Sequence, residues 1–229
     1  MGEAKMTGIL GLGVTRLKIC LVGERGVGKT SLIRRFVENT FDEAYVRTIG
    51  TMVLKRDVDV PEVDRRVRFL VWDVMGHKEF ADIFKEIYTK NLAGVVGVFD
   101  VTRPETLKSL DCWVNDISDT IGDVPVLVLA NKKDLRELVN TSEKEIMEFC
   151  SQHSWEWLAT SAKTGENVQD AFYQLATNII QGKNSDAYGG GSSKDMRNPQ
   201  RDTNPTERSK QTPPLVLMSW RQVGGRWKR

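Results

Sequence analysis

The run GERGVGKTS, Gly23–Ser31, carries the most specific chemistry in the chain. It satisfies G-x-x-x-x-G-K-[ST], with Gly23, Gly28, Lys29 and Thr30 in the fixed places. Glycines permit the tight turns that aim successive backbone N–H groups at one anion. Lys29 adds a point charge for outer phosphates. The Thr30 hydroxyl is a hard oxygen of the kind that holds Mg²⁺. A phosphate cradle of this type needs a strand running in and a helix running out. Apolar LKICLV precedes the run and SLIRRFVEN, with helical spacing, follows it.

The elements that must position this loop can be read along the chain. Leu17–Val22 reads as a buried strand. Thr30–Glu38 reads as a helix with Leu32, Ile33, Phe36 and Val37 on its apolar face. Residues 41–50, FDEAYVRTIG, lack a period and read as a loop with charged and hydroxyl groups able to meet a ligand. Thr51–Val60 and Val67–Trp72 are strand-like, joined through a hairpin turn over Pro61–Arg66. A loop at Asp73–Gly76 leads to a helix over Glu79–Lys90. Gly94–Phe99 is a central strand closed by Asp100, and Thr102-x-x-Glu105 with Pro104 marks a helix start by capping. That helix carries Leu107, Leu110, Val114 and Ile117 on one face. Val124–Ala130 is a buried strand with Pro125 at its first residues. Ser142-x-x-Glu145 opens a helix to about Gln152. Trp155–Ala159 is a short strand, and Asn167 caps a last helix, Val168–Ile180. Strands alternating with helices predict an α/β fold: a mostly parallel sheet covered on both faces, with its ligand beyond the strand C-termini.

Charge is unevenly spread. The 229 residues carry a formal net charge of +2, with 40% hydrophobic and 28% charged residues. From Gly182 onward there are ten Lys/Arg and four Asp/Glu, a net of +6; the remaining 23 and 27 give the body −4. An acidic body argues against a nucleic-acid surface, and no nucleic-acid partner is expected. Cys20, Cys112 and Cys150 are widely spaced with no C-x-x-C, and only His77 and His153 are present, so a reduced cytosolic protein without a zinc site is expected. No apolar run is long enough to span a bilayer. The first residues are too poor in apolar and basic side chains for a signal peptide, and Met6 breaks the myristoylation pattern.

Four segments follow. Residues 1–15 are a Gly-rich flexible extension and 16–181 the main domain. Residues 182–212 are rich in Gly, Ser, Asn, Pro and charge, and read as a disordered linker. Residues 213–229 form a tryptophan-rich basic tail: Leu215, Val216, Leu217, Met218, Trp220 and Trp227 beside Arg221, Arg226, Lys228 and Arg229. Such a tail suits weak, reversible contact with an anionic membrane; folding back on the domain, docking on a partner, or no role at all are the alternatives.

From Lys18 to Ile180 the ordered motifs resemble the Ras superfamily of small GTPases, with the nearest likeness to its Rab-like branch. GERGVGKT matches the phosphate loop, Thr48 in YVRTIG the first-switch threonine, and Asp73 and Gly76 in WDVMG the second switch. NKKD (Asn131, Lys132, Asp134) matches the guanine-reading loop and TSAK (Ser161, Ala162, Lys163) the last guanine-side loop. The resemblance implies a P-loop NTPase fold with a six-stranded, mostly parallel sheet and one antiparallel strand. It implies GTP/GDP and Mg²⁺ as ligands. Gly23, Glu24, Arg25, Gly26, Val27, Gly28, Lys29, Thr30 and Ser31 would surround the phosphates, and Phe41 would pack edge-on to the base or serve as core.

Residue chemistry agrees with these roles. Asp134 can accept from the two N–H donors of guanine, which adenine lacks, so adenine would leave the carboxylate unpaired. Asn131 can tie the base side to the phosphate loop. The stems of Lys132 and Lys163 can sandwich the ring while their ammoniums stay wet. The Ala162 N–H would meet the base carbonyl. Thr30 and Thr48 hydroxyls would hold Mg²⁺ with Asp73 behind them, and Gly76 would offer its N–H to the γ-phosphate. Loss of that phosphate would release both switches, so effectors would read Ala44–Thr51 and Gly76–Tyr88, with exchange and activating factors expected. Trp72 fits either the aromatic surface patch of Rab-like proteins or a plain core tryptophan.

Three features depart from the family pattern. His77 stands where most members have the glutamine that orients the attacking water. Arg25 stands where glycine is common; it would either obstruct an arginine finger or place a cation near the γ-phosphate. Members usually end in prenylated cysteines, but the last cysteine here is Cys150, so prenylation of the tail is not expected. The chain therefore reads as a GTP-hydrolysing switch with Lys29, Thr48, Gly76, His77 and Arg25 at the reacting phosphate and slow intrinsic turnover. The alternative is a guanine-nucleotide-held scaffold with little hydrolysis. An ATP-using kinase-like enzyme is disfavoured, because NKKD and TSAK suit guanine.

Overall fold

Strand β1, Thr15–Val22, sorts its side chains by alternation. Leu17, Ile19 and Leu21 enter one core, whereas Cys20 and Val22 enter another on the opposite face. The remaining elements close over these two faces. The computed structural model describes residues 13–42, 52–74, 76, 85–188, 221–223 and 226–228. The chain divides into two compact units, Met1–Gly190 and Gly191–Arg229.

In the first unit, α1 (Lys29–Glu38) is followed by β2 (Met52–Val60), a 3₁₀ turn (Pro61–Val63) and β3 (Arg65–Asp73). Then come β4 (Gly94–Asp100), α2 (Glu105–Ile121), β5 (Val126–Asn131), a 3₁₀ turn (Arg136–Leu138), α3 (Glu143–Gln152), β6 (Glu156–Ala159) and α4 (Val168–Tyr188). The six strands form one sheet in the order β2-β3-β1-β4-β5-β6. Every pairing is parallel except β2 with β3. This is the P-loop NTPase-like α/β sheet, with helices on both faces.

The hairpin register is pinned where Asp57 lies opposite Arg68, whose Nε and Nη2 donate to the two carboxylate oxygens at 2.7 and 2.6 Å. Helices α1 and α4 cover one face through Leu32, Ile33 and Phe36 and through Ala171, Phe172, Leu175 and Ile179. Helices α2 and α3 cover the other through Leu107, Leu110, Trp113, Val114 and Ile117 and through Ile146 and Cys150. Residues 85–89 are helical, and the Lys18 ammonium donates to the Ile87 and Lys90 carbonyls, both at 2.8 Å. The same ammonium lies 4.3 Å from the Trp72 ring centroid. Trp72 is half-buried against the second core, between the two readings of its sequence position.

Local details differ from the sequence pattern in three places. The Ser142/Glu145 capping box forms as expected, but Thr102 does not cap α2. The Asp100 carboxylate takes the Thr102 N–H and hydroxyl instead, and Pro104 stands at the cap with no side-chain bond. Asn167 occupies the start of α4, its carbonyl accepting the Ala171 N–H, but its side chain donates to the Ala159 carbonyl at 2.7 Å. Helix α4 does not stop near Ile180; it continues through Gly182 to Tyr188, into the segment expected to be linker.

In the second unit, β7 (Arg221–Val223) and β8 (Arg226–Lys228) pair antiparallel, with Val223 opposite Arg226 and Gln222 opposite Trp227. No strand was expected there. The signal was present: Gly-Gly between two short runs is a hairpin sequence. Residues 1–12, and the tail apart from these two strands, lie outside the described residues. Among the described residues no helix is long and apolar enough to cross a membrane.

The cysteines give a direct check of the packing. Cys20 and Cys150 are buried, and burial pushes both thiols up to about 12. Cys112 is exposed. At pH 8 a chromogenic disulfide should therefore modify one thiol rapidly in the folded protein and the other two only on denaturation. Two or more fast thiols would contradict this packing.

Candidate nucleotide site

The loop between β1 and α1 lies at the C-terminal end of the central strand. Gly23, Gly26 and Gly28 have φ of 133°, 76° and 101°, a region closed to most side chains. Lys29, only 6% exposed, folds back so that its ammonium donates to the Gly23 and Glu24 carbonyls at 2.7 and 2.9 Å. Burial lowers its pKa to about 8, against the opposing pull of Asp73 and Glu24. Asp73 ends β3 with no exposed surface. Its Oδ2 accepts the Thr30 hydroxyl at 2.5 Å, while its Oδ1 has no hydrogen-bond partner among the described residues. Burial raises the Asp73 carboxyl; the Thr30 bond and the Lys29 charge work against that rise.

Gly76 completes this end of the site. A Cβ there would stand 2.6 Å from Lys29 Nζ and 2.7 Å from the Arg25 nitrogen, so only glycine allows the approach. The arrangement fits Mg²⁺ and phosphate: a buried carboxylate oxygen lacks a partner beside a hydroxyl, an ammonium and a glycine cradle. When bound, Mg²⁺ would neutralise phosphate charge. Thr30 would hold it directly and Asp73 through its second shell. Thr48, His77 and residues 44–51 and 77–84 lie outside the described residues.

The opposite end is built around Asn131, at the end of β5. Its Nδ2 donates to the Val27 carbonyl at 2.8 Å, and its Oδ1 accepts the Ala162 N–H at 3.2 Å and the Thr160 hydroxyl at 3.4 Å. The side-chain amide thus joins the phosphate loop to the loop after β6. Asp134 accepts the Ser161 hydroxyl at 2.6 Å, and that oxygen accepts the Thr164 N–H at 3.0 Å. Lys132 sits at φ 69°, with its ammonium on Asp100 at 2.7 Å and its side chain 33% exposed. Phe41 is half-buried and packs against the main core. Ser31 lies within α1, and Val27 is fully buried.

Five further residues were not legible as site residues. Arg35 of α1 donates to the Ala162 carbonyl at 2.9 Å and to the Lys163 carbonyl at 2.6 Å. Thr160 acts on Asn131. Asp100 is a buried node for Thr102, Arg103 and Lys132. Burial works to raise its carboxyl, but the Lys132 and Thr102 bonds outweigh it and hold the group below the usual carboxylate range. Arg103 reaches the Arg25 carbonyl at 3.0 Å, and the Trp113 indole N–H lies 3.4 Å from a Glu24 carboxylate oxygen. The one available signal was Asp100 itself, a carboxylate closing the apolar run GVVGVF.

The sequence model of the Ras family matches residues 18–181. The chain belongs to the Ras superfamily of small GTPases. This small GTPase is 34% identical over 172 residues to Ras-related protein Rab-18-B of Danio rerio, covering 73% of this chain and 81% of that one. It is 32% identical over 164 residues to Ras-related protein Rab-13 of Canis lupus familiaris, covering 71% and 79%. It is 33% identical over 168 residues to GTP-binding protein ypt4 of Schizosaccharomyces pombe, covering 72% and 71%. Membership carries the general function of the superfamily, GTP binding and switching. The geometry brings together the phosphate loop, Asp73, Gly76, Asn131, Asp134 and the Ser161–Lys163 loop.

Proposed function

We propose that this small GTPase cycles between GTP and GDP, hydrolysing GTP with Mg²⁺ and recruiting effectors through residues 44–51 and 76–88. Exchange and activating factors complete the cycle, and the protein acts in the cytoplasm with weak membrane contact through residues 213–229. The observation that carries the reading is the Asp73 carboxylate, buried beside Thr30 and Lys29 with one oxygen unpartnered among the described residues. Such a group is costly unless a ligand completes it.

Each residue has a definable task. Lys29 leaves the Gly23 and Glu24 carbonyls and donates to the outer phosphates. The loop amides from Glu24 to Ser31 bind the same anion, and Gly76 gives its N–H to the γ-phosphate. Thr30 and Thr48 would hold Mg²⁺ through their hydroxyl oxygens. Asp134 accepts the two guanine donors, the Ala162 N–H turns to the base carbonyl, and the Lys132 and Lys163 stems flank the ring. His77 holds the attacking water in place of glutamine, which favours slow turnover.

A second reading, a nucleotide-held scaffold with little hydrolysis, draws on Arg25. Its backbone stands against Gly76, on the side where the γ-phosphate would sit.

The test begins with the nucleotide released on denaturing the purified protein, followed by single-turnover hydrolysis. Guanosine nucleotides should be preferred over adenosine by about 10⁴-fold, and Asp134→Ala should remove most of that preference. No preference in folded protein with Mg²⁺ would reject the proposal. A faster rate in His77→Gln or Arg25→Gly would locate the limit on turnover; unchanged rates in both would reject those positions as its cause.

A further inference from the structure

Arg103 uses its guanidinium at two places at once. Nε donates to Asp100 Oδ2 at 3.1 Å, and Nη2 donates to the Arg25 carbonyl at 3.0 Å. The Asp100 carboxylate is fixed in turn by the Thr102 N–H and hydroxyl on Oδ1 and by Lys132 on Oδ2. An arginine anchored on a buried carboxylate has little freedom left, so its second donor is a fixed point in space.

The gripped carbonyl has a geometric consequence. In a planar trans peptide the C=O and the following N–H point in opposite directions. Holding the Arg25 oxygen on the Arg103 side therefore aims the Gly26 N–H the other way. Gly26 has φ 76°, and a Cβ on it would stand 3.7 Å from Arg103 Nη2. Arg25 is also the residue whose nitrogen lies 2.7 Å from a Cβ placed on Gly76, which in turn approaches Lys29 Nζ. The grip thus falls on the end of the loop beside Lys29 and Gly76, which the reading above assigns to the outer phosphates. Trp113 of α2 meets the adjoining Glu24 carboxylate at 3.4 Å, so two consecutive loop residues are held by the chain that follows β4.

We propose that Arg103 is a positioning residue for the outer-phosphate end of the nucleotide site, fixing the Arg25 carbonyl so that the Gly26 N–H is aimed at bound phosphate. The proposal rests on the guanine-nucleotide reading above. It assigns Arg103 no contact with the ligand. Lys132 keeps its own bond to Asp100 when Arg103 is removed, so the base end retains its anchor. The Arg103 side chain is 38% exposed, and its replacement opens no core.

The experiment measures GDP and GMP affinities of the full chain with Mg²⁺, by competition against a fluorescent guanosine diphosphate. Arg103→Ala should weaken GDP about tenfold, the scale of one charge-assisted hydrogen bond, and GMP less than about twofold. Arg103→Lys keeps a cation for Asp100 but cannot serve both acceptors, so it should show the same selective loss. Equal loss for GDP and GMP, no loss of GDP affinity, or full GDP affinity in Arg103→Lys would each overturn the proposal. If the wild-type protein does not prefer guanosine over adenosine, the base assignment fails separately. The diphosphate-to-monophosphate ratio, measured on whichever nucleoside binds, still decides the role of Arg103.

Discussion

Gly23→Ala is expected to leave the protein unable to fold stably. An alanine Cβ at this position would stand 2.1 Å from the Val98 carbonyl oxygen and 3.2 Å from its carbon. The backbone φ of 133° is itself unfavourable to any side chain. Neither partner can retreat. Val98 lies within β4, wholly buried, and β1 is hydrogen-bonded to β3 on one side and β4 on the other. Relief would require parting β1 from β4, so the cost should exceed about 4 kcal/mol, near the whole stability of a small domain. Denaturant titration would read this as a collapsed midpoint or as insoluble protein. Gly13→Ala is the control: among the described residues nothing lies within 4 Å of its Cβ, and the change should stay within about 0.5 kcal/mol. A wild-type midpoint for Gly23→Ala would show that β1 and β4 do not meet as described.

Phe172→Ala should cost about 3–5 kcal/mol, the range for deleting a buried aromatic ring. Phe172 of α4 stacks on Phe36 of α1 with centroids 3.8 Å apart and planes 7° apart. Both rings stand edge-on to Phe69 of β3, at 6.0 and 5.4 Å. The Arg56 guanidinium lies 4.6 Å from the Phe36 centroid. Three elements therefore meet at one aromatic cluster, and the vacated space is bordered by rings that cannot collapse into it without losing one another. Because α1 begins at Lys29, loosening its far end should also speed nucleotide loss. Urea unfolding would give the energy directly, with Phe172→Leu expected between the wild type and the alanine variant. A loss below about 1 kcal/mol would mean that the cluster does not lock α4 in place.

Much of this architecture could be read before any coordinates. Buried runs such as LKICLV and GVVGVF are strands because both faces of a parallel sheet are covered. The phosphate loop and Asn131 were legible because their chemistry depends on local spacing. What escaped reading depends on distant partners. Arg103 meets Arg25 across 78 positions, and Arg35 meets Ala162 across 127. No local pattern marks such pairs. The false cap at Thr102 has a specific cause: the same S/T-x-x-E pattern forms a closed box at Ser142, but at Thr102 a neighbouring buried carboxylate competes for the hydroxyl and wins. The end of α4 was expected near Ile180 because residues 182–212 are rich in Gly, Ser, Asn, Pro and charge, yet the helix runs to Tyr188. One glycine in a helix costs only about 1 kcal/mol, which an otherwise helical stretch can absorb. Thr48 and His77, on which the switching reading leans, lie outside the described residues.

The position of β1 has a mechanical corollary. Its backbone is laced to a neighbour along both edges, and the glycine-rich turn leaves directly from its end. The floor of the cleft is thus held from both sides. Bending that floor to free a bound nucleotide would break strand pairing on two sides. Movement of the side chains that reach in from later in the chain, such as Arg103 and Asn131, would cost less, which would give those late segments command over how long an occupant stays.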